Sequence, residues 1–146
     1  MVKEMGKVMV TATVENFGDV FNAKMGSIPE TEIRRIEIPD ALVDTGATGL
    51  MLPKRMIHEL GLKQFSTPQA RGIGGVVSMP MYSAVRLTIQ GRECTLDVGE
   101  VADDIPALIG QIPLEALDWI VDPKNQRLIG NPEHGGEHMM DVFYGS

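Results

Sequence analysis

The most informative run of this chain is Ala41-Leu42-Val43-Asp44-Thr45-Gly46-Ala47-Thr48. Its aliphatic lead-in predicts a buried strand, and Gly46 permits the tight turn that follows. Asp44 therefore lies at a strand end, where a carboxylate costs free energy unless hydrogen bonds satisfy it or a reaction uses it. Backbone amides near Gly46 can donate to that carboxylate, and the Thr45 hydroxyl can bond a symmetry-related copy.

A second apolar run, Pro106-Ala107-Leu108-Ile109-Gly110, lies downstream and is typical of a short strand that ends in glycine. Residues 111–118 then predict a short helix with Ile112, Leu114 and Leu117 on its apolar side. Between the two runs, residues 72–75 read Gly-Ile-Gly-Gly. Glycines in that pattern predict a hairpin with a mobile tip.

These segments resemble the aspartic proteases, most closely the retropepsin-like (retroviral-type) branch with one catalytic motif per chain. Residues 43–48 resemble the active-site loop of that family, and residues 108–110 resemble the strand that packs beside it. The resemblance implies that the catalytic residues are Asp44, Thr45 and Gly46. It implies that the loop is supported by Ala47, Thr48, Leu108, Ile109 and Gly110. It also implies a flap over the substrate, with Ile73, Gly74 and Gly75 near its tip.

The plain structural alternatives are an ordinary turn after a strand at Asp44 and an ordinary surface hairpin at residues 70–79. The order of the three segments along the chain favours the resemblance. Hydrophobic pockets beside the cleaved bond are a further implication, and the nearby apolar residues that suit them are Leu50, Met51, Ile73 and Val76.

The length of 146 residues fits one domain with a substantial core. The resemblance implies a mainly β acid-protease barrel with one or two short helices. We assign residues 1–130 to this domain and residues 131–146 to a tail rich in Gly, Pro, His and Met. Asp-Thr-Gly occurs once, so a second catalytic carboxylate has to come from another copy, in a two-fold homodimer.

The function that the resemblance implies is peptide-bond hydrolysis by an aspartic endopeptidase. Two Asp44 carboxylates, one from each chain, would share a proton and activate a water molecule. The alternative is a catalytically silent module of the same fold that binds peptides or serves assembly.

One departure from the family concerns the dimer. In viral members an arginine follows the glycine equivalent to Gly110 and pairs with an acid two residues after the motif glycine. Here those positions hold Gln111 and Thr48, which are neutral, and a hydrogen bond between them would be weaker than a charged pair. The chain is in this respect nearer to cellular and bacterial members.

Charge and composition exclude several classes of protein. The net charge of −7 and the lack of a basic stripe argue against a nucleic-acid partner. The single cysteine, Cys94, excludes an intrachain disulfide and is expected to pack as a small hydrophobe in a strand. No segment suits export or reaches membrane-spanning length, so we expect a cytoplasmic protein without a membrane partner.

A zinc site in the tail is the remaining chemical alternative, because His134 and His138 are four residues apart with Glu133 and Glu137 beside them. Pro132 and the glycines at 135 and 136 oppose the helix that such a site needs. We therefore expect neither a metal nor a cofactor.

The rest of the pattern is mostly β. Residues 7–16 and 32–38 alternate as strands do, with a turn at Pro39-Asp40, and residues 17–29 predict a loop or irregular hairpin. Residues 53–62 predict a helix that ends at Gly61. Residues 85–98 predict a hairpin that turns at Gln90-Gly91, and two short strands are expected at 119–123 and 126–129.

Overall fold

The computed structural model describes residues 7–72 and 74–139. The helices in these ranges are α1 (Phe17–Lys24), α2 (Lys54–Glu59) and α3 (Gln111–Leu117), and single 3-10 turns cover Glu30–Glu32 and Pro132–His134. The strands are β1 (Val8–Asn16), β2 (Arg35–Val43), β3 (Leu50–Pro53), β4 (Gln64–Ser66), β5 (Gln69–Gly72), β6 (Gly75–Ser78), β7 (Met81–Ile89), β8 (Arg92–Val101), β9 (Leu108–Ile109), β10 (Trp119–Asp122) and β11 (Arg127–Gly130).

Six of these strands close into a barrel in the order β1-β2-β9-β3-β8-β7, and β7 pairs back onto β1. Strand β4 pairs with the first residues of β7, Met81 and Tyr82, while β5-β6 and β10-β11 are separate two-stranded sheets. The predicted mainly β barrel with few short helices is confirmed. Strand β9 runs parallel to β2 and antiparallel to β3, so it joins the strands on either side of the Asp44 loop.

The core follows from strand periodicity. Val8, Val10, Ala12 and Val14 alternate along β1, as predicted, and all four are buried. They belong to one core cluster with the inward residues of β7 and with Ile57, the buried residue of α2. Burying each such aliphatic side chain contributes about 1.5–3 kcal/mol, which makes this face the main source of stability.

The prediction of a loop or irregular hairpin at residues 17–29 is wrong, because residues 17–24 form α1. The Asn16 side chain accepts a hydrogen bond from the Asp19 amide at 3.0 Å and caps the helix. Its Nδ2 atom also donates to the Leu60 carbonyl at 2.9 Å, which ties the helix start to the end of α2. The glycine and asparagine content of the segment outweighed this capping signal in the sequence-based interpretation.

The predicted turn at Pro39-Asp40 is also wrong, because β2 continues through both residues. Val10 pairs with Ala41 and Ala12 with Ile38, so β2 carries one extra residue at this point. The irregularity is therefore a bulge, which accommodates proline within a continuous strand.

Other elements agree with expectation, apart from one face of α3. Gln90 and Gly91 form the turn between β7 and β8 with φ values of 51° and 88°. Gly61 follows α2 with φ of 67°. In α3, the prediction that Ile112 lies on the buried side is wrong: Ile112 is 52% exposed and Pro113 is buried instead. The hydrogen bonds of the first helical turn to the Asp44 loop set this orientation.

The barrel closes at a buried ion-pair cluster centred on Glu15 of β1, which is 5% exposed. Arg86 of β7 donates to Oε1 at 2.7 Å, and Arg35 of β2 donates to Oε2 at 2.7 Å. Burial alone would raise the pKa of Glu15, but the hydrogen bonds from Arg86 and Arg35 outweigh it and hold the pKa below the ordinary value of 4.5.

We expect Glu15→Gln to destabilise the protein by about 1–3 kcal/mol at neutral pH, because it leaves two arginines with one neutral acceptor. A lowered native pKa contributes stability above the unfolded-state pKa, and this contribution is lost as pH falls through the native pKa. The stability difference from the wild type should therefore shrink below about pH 4.5. Urea unfolding at pH 7 and pH 3.5 measures this difference in the free energy of unfolding. The control is Glu37→Gln, which changes an exposed glutamate on β2. An equal difference at both pH values would contradict the prediction.

Candidate active site

Asp44 is the first residue after β2 and is half-buried at the mouth of the barrel. The Gly46 amide donates to its Oδ1 atom at 3.0 Å, as the sequence predicts, and the Ala47 amide donates to its backbone carbonyl at 3.0 Å. These bonds form a tight turn that holds the carboxylate at the loop surface. Thr45 is exposed, and within the described residues its hydroxyl makes no hydrogen bond.

Strand β9 and the first turn of α3 hold this loop from below. The Asp44 amide donates to the Ile109 carbonyl at 2.9 Å, which extends the parallel pairing of β2 with β9. The Gln111 amide donates to the Ala47 carbonyl at 2.9 Å, and the Ile112 amide donates to the Thr48 carbonyl at 2.8 Å. The first amides of a helix have no partner inside the helix, so the loop carbonyls satisfy them.

Gly110 makes the closest approach in this arrangement. A Cβ atom at this position would lie 2.5 Å from the Gly49 carbonyl oxygen and 2.7 Å from the Ala47 carbonyl oxygen. Both atoms belong to backbone and cannot rotate away. Backbone conformation does not require glycine here, because any residue can adopt the φ of −88°. The close contact with the two carbonyl oxygens requires it.

The structure thus brings together all five residues expected to support the loop, namely Ala47, Thr48, Leu108, Ile109 and Gly110. The side chains that replace the charged pair of viral members do not bond one another within the chain. Gln111 donates instead to the Glu115 carboxylate, one turn along α3, at 3.1 Å.

An apolar stripe crosses the outer face of the barrel beside Asp44. Directly paired residues share a face of a sheet, and strand register joins six of them into one row: Met9, Leu42, Leu108, Met51, Gly99 and Met81. Leu42 and Asp44 are two residues apart, so their side chains also share that face. The stripe therefore runs from Met9, passes beside the carboxylate at Leu42, and ends at Met81, near the base of the β5-β6 hairpin.

The neighbouring row of residues, which includes Val43, Ile109, Leu50 and Val98, faces the core. The interpretation of Leu50 as a pocket residue is thus wrong, because it is 1% exposed. Met51 does lie on the open face. The sequence analysis did not identify Leu42, Met81 or Gly99 as residues of this stripe. Strand alternation would have identified Leu42, which is two residues before Asp44 and therefore on the same face.

The glycine-rich segment forms the predicted hairpin. Gly72 pairs with Gly75, whose φ is 113°, so Gly74 lies at the tip. Gly74 is exposed, while Ile73 lies outside the described residues. Val76 is 59% exposed, and the Met79 amide closes the base of the hairpin on the Pro68 carbonyl.

Tyr82 and Glu100 form a polar contact near this base. The Tyr82 hydroxyl donates to Glu100 at 2.6 Å, and this bond to a carboxylate raises the pKa of Tyr82.

Two other residues with reactive side chains, Cys94 and His134, are held within the folded structure. Burial raises the pKa of the Cys94 thiol to about 11, so it is not a nucleophile at neutral pH. His134 bonds the buried Asp118 carboxylate through Nδ1 at 2.6 Å, and that hydrogen bond lowers the pKa of Asp118. Within residues 7–72 and 74–139, no group of three or more His, Cys, Asp or Glu is placed to hold a metal ion.

The segment that contains His134 packs against the end of α3. The Met139 amide donates to Asp118 at 3.1 Å, and Arg92 of β8 donates to the Gly136 carbonyl at 2.6 Å. No helix in the described part of the chain has the length and apolar character needed to cross a membrane.

A family model described as aspartyl protease matches residues 30–117, more than half of the chain. The matched range runs from before β2 to the end of α3 and so contains the Asp44 loop, the hairpin and β9. Among curated proteins, none matches this chain.

We expect Gly110→Ala to displace the Asp44 loop and to destabilise the protein by about 1–3 kcal/mol, because the added methyl group meets backbone on the facing loop. Thermal unfolding and the amide resonances of residues 44–48 measure the two effects.

The matched control is Gly130→Ala, since a Cβ there meets the backbone of Gly136, away from Asp44. The control should lower stability while leaving the resonances of residues 44–48 in place. Unchanged loop resonances in Gly110→Ala would show that this contact does not position the carboxylate.

Proposed function

The chain belongs to the retropepsin-like aspartyl protease family, and on that premise we propose that it is an aspartic endopeptidase acting as a homodimer. The observation that supports this most directly is the Asp44 loop. Its carboxylate is turned to the surface by the Gly46 amide, and β9 and α3 hold the loop rigidly from below. A site held on rigid elements in this way suits a reaction that needs fixed geometry.

The proposed chemistry uses two copies of Asp44 across a two-fold axis. Two carboxylates within hydrogen-bond distance cannot both ionise without a large cost, so they share one proton. The ionised carboxylate takes a proton from a water molecule, whose oxygen attacks the peptide carbonyl carbon. The protonated carboxyl group donates to the carbonyl oxygen and, as the C–N bond breaks, a proton passes to the leaving nitrogen.

The homodimer is a requirement of this chemistry, because the chain has a single Asp-Thr-Gly. The exposed Thr45, whose hydroxyl has no hydrogen-bond partner within the described residues, is available to bond the partner subunit. Gln111 is already engaged with Glu115, so we propose that Thr45 contributes more to the dimer contact than the Gln111 and Thr48 positions do.

The proposed substrate is an extended peptide lying between the apolar stripe and the β5-β6 hairpin. The stripe would receive apolar side chains, and the hairpin would close as a flap that excludes water and adds backbone hydrogen bonds. Gly74 and Gly75 at its tip are suited to such movement, because neither restricts the backbone with a side chain.

A module of the same fold that binds peptides without cleaving them is the second candidate. The neutral pair at Gln111 and Thr48 favours it, since a weaker dimer leaves fewer paired Asp44 carboxylates. The cleavage experiment below separates the two functions.

We expect the wild-type protein to cleave members of a diverse peptide library more rapidly at acidic than at neutral pH, because the shared proton must be retained. Asp44→Asn should abolish cleavage, since an amide can neither share that proton nor accept one from water. Mass spectrometry of the library, with and without a pepstatin-type inhibitor, measures both.

Circular dichroism and sedimentation should show that Asp44→Asn keeps the fold and oligomeric state of the wild type. Cleavage that survives in Asp44→Asn would place the reaction elsewhere. Absence of cleavage by a confirmed wild-type dimer would favour the binding module.

We expect Thr45→Ala to weaken the dimer, because it removes a hydroxyl that bonds across the two-fold axis. Sedimentation equilibrium should show a dissociation constant raised by about tenfold, the equivalent of one net hydrogen bond on each side. Thr45→Ser, which keeps the hydroxyl, is the matched control and should remain close to the wild type. Equal weakening in both variants would attribute the effect to the lost methyl group.

A further inference from the structure

We infer that Gly99 determines the size of the apolar side chain that the groove accepts, by setting the position of the Met51 thioether. This inference rests on the proposed function, because it takes the apolar stripe as the floor of the substrate groove. Gly99 is then a positioning residue that acts through Met51, and it touches no reacting atom.

Gly99 lies near the end of β8 between Met51 of β3 and Met81 of β7. A Cβ atom on Gly99 would lie 2.7 Å from the Met51 Sδ atom and 2.9 Å from its Cε atom. The Met79 Sδ atom is farther away, at 3.4 Å, which is ordinary contact. The end of the Met51 side chain therefore occupies the space that any other residue at position 99 would need for its own Cβ.

The backbone does not explain this glycine. The φ of Gly99 lies outside the left-handed region that favours glycine. Gly99 is paired on both sides, with Met51 and with Met81, and the register shift of β7 against β8 comes after Tyr82, outside these pairs. Glycine inside a strand weakens the strand, because it adds chain entropy to the unfolded state and packs no side chain. What the glycine provides is a recess, and the Met51 thioether fills it.

Met51 is close enough to Asp44 to contact a residue beside the cleaved bond. Met51 is level with Leu42, two strand spacings away across β9, and Asp44 lies two residues farther along β2. These two offsets, about 10 Å and about 7 Å, place Met51 about 12 Å from Asp44. Successive side chains on one face of an extended peptide are about 7 Å apart. Met51 thus lies within reach of the first or second same-face side chain beside the cleaved bond, on the face that Asp44 shares with Leu42 and Leu108.

The recess controls the depth of the groove because methionine is flexible. The atoms that a new Cβ would meet are the last two of the Met51 side chain, which has three rotatable bonds. The side chain can leave the recess by rotation, and the backbone of β8 blocks inward movement. Filling the recess therefore moves the thioether onto the open face, where it takes space from the substrate.

The test uses Gly99→Ala and two peptides that differ only at one apolar position beside the cleaved bond, leucine in one and alanine in the other. We expect kcat/KM for the leucine peptide to fall by about tenfold relative to the alanine peptide, as a lost pocket of one or two methylene groups implies. The loss should appear chiefly in KM, since Asp44 and its loop are unchanged.

Two double variants identify the route. Gly99→Ala with Met51→Ala should restore acceptance of leucine, because the displaced thioether is gone. Gly99→Ala with Met79→Ala is the matched control and should not restore it, since Met79 leaves room for the Cβ. An unchanged leucine-to-alanine ratio of kcat/KM in Gly99→Ala, or equal rescue by the two methionine changes, would overturn the inference.

If Gly99→Ala fails to fold, Met51→Ala alone tests the inference. It should widen the substrate preference toward phenylalanine, and no such widening would overturn the inference.

A binding measurement separates failure of this inference from failure of the proposed function. In Asp44→Asn protein labelled with ¹³C-methyl methionine, the leucine peptide should shift the Met51 methyl resonance, and Gly99→Ala should weaken that binding. If both effects are seen but the wild type cleaves no peptide, the proposed endopeptidase function is rejected and the role of Gly99 in binding is retained. Cleavage by the wild type with no shift at Met51 would reject the role of Gly99 alone.

Discussion

The rest of this structure depends on the close approach of Gly110 to the loop that carries Asp44. At that point β9 passes between β2 and β3, and the first amides of α3 donate to carbonyls of the loop. The carbonyl groups of the loop accept hydrogen bonds from the amides at the start of the helix, which removes the cost of unpaired backbone groups in both segments. No side chain fits in the contact, so a single glycine makes it possible.

The barrel is stabilised by apolar packing in its interior and by an ion-pair cluster where β1 meets β7. Aliphatic side chains fill its interior, and burial of these side chains is the dominant favourable free energy. Its closure between β1 and β7 includes the buried Glu15, whose charge is compensated by Arg86 and Arg35. Such a cluster adds less net stability than an apolar contact of the same size, but it penalises any other register of the two strands.

The stripe beside Asp44 follows from strand register alone. Each of its residues faces outward because its neighbour along the strand faces the core, and a shift of one residue would exchange the two rows. Asp44 flanks this stripe beside Leu42, and the Tyr82–Glu100 contact lies near its other end, at the base of the hairpin. An apolar strip bounded in this way is suited to extended peptides with hydrophobic side chains, and less suited to charged ones.

The sequence was sufficient for local features whose cause lies within a few residues. Periodicity identified β1, the turn at Gln90 and Gly91, and the strand before Asp44, because alternation and left-handed turns are encoded locally. The motif around Asp44 identified the family. Local rules failed at residues 17–24, where a helix depends on its cap at Asn16 and on the contact of that residue with Leu60, a long way along the chain.

Only the tertiary structure decided which residues share the site. Pairing between distant strands placed Leu108, Met51 and Gly99 in one row with Leu42, and moved Leu50 into the core. Sequence spacing does not reveal such neighbours, because the register of one strand against another is set by packing over the whole barrel. The family of this chain is therefore readable from one short motif, while the shape of the candidate site is a property of the closed sheet.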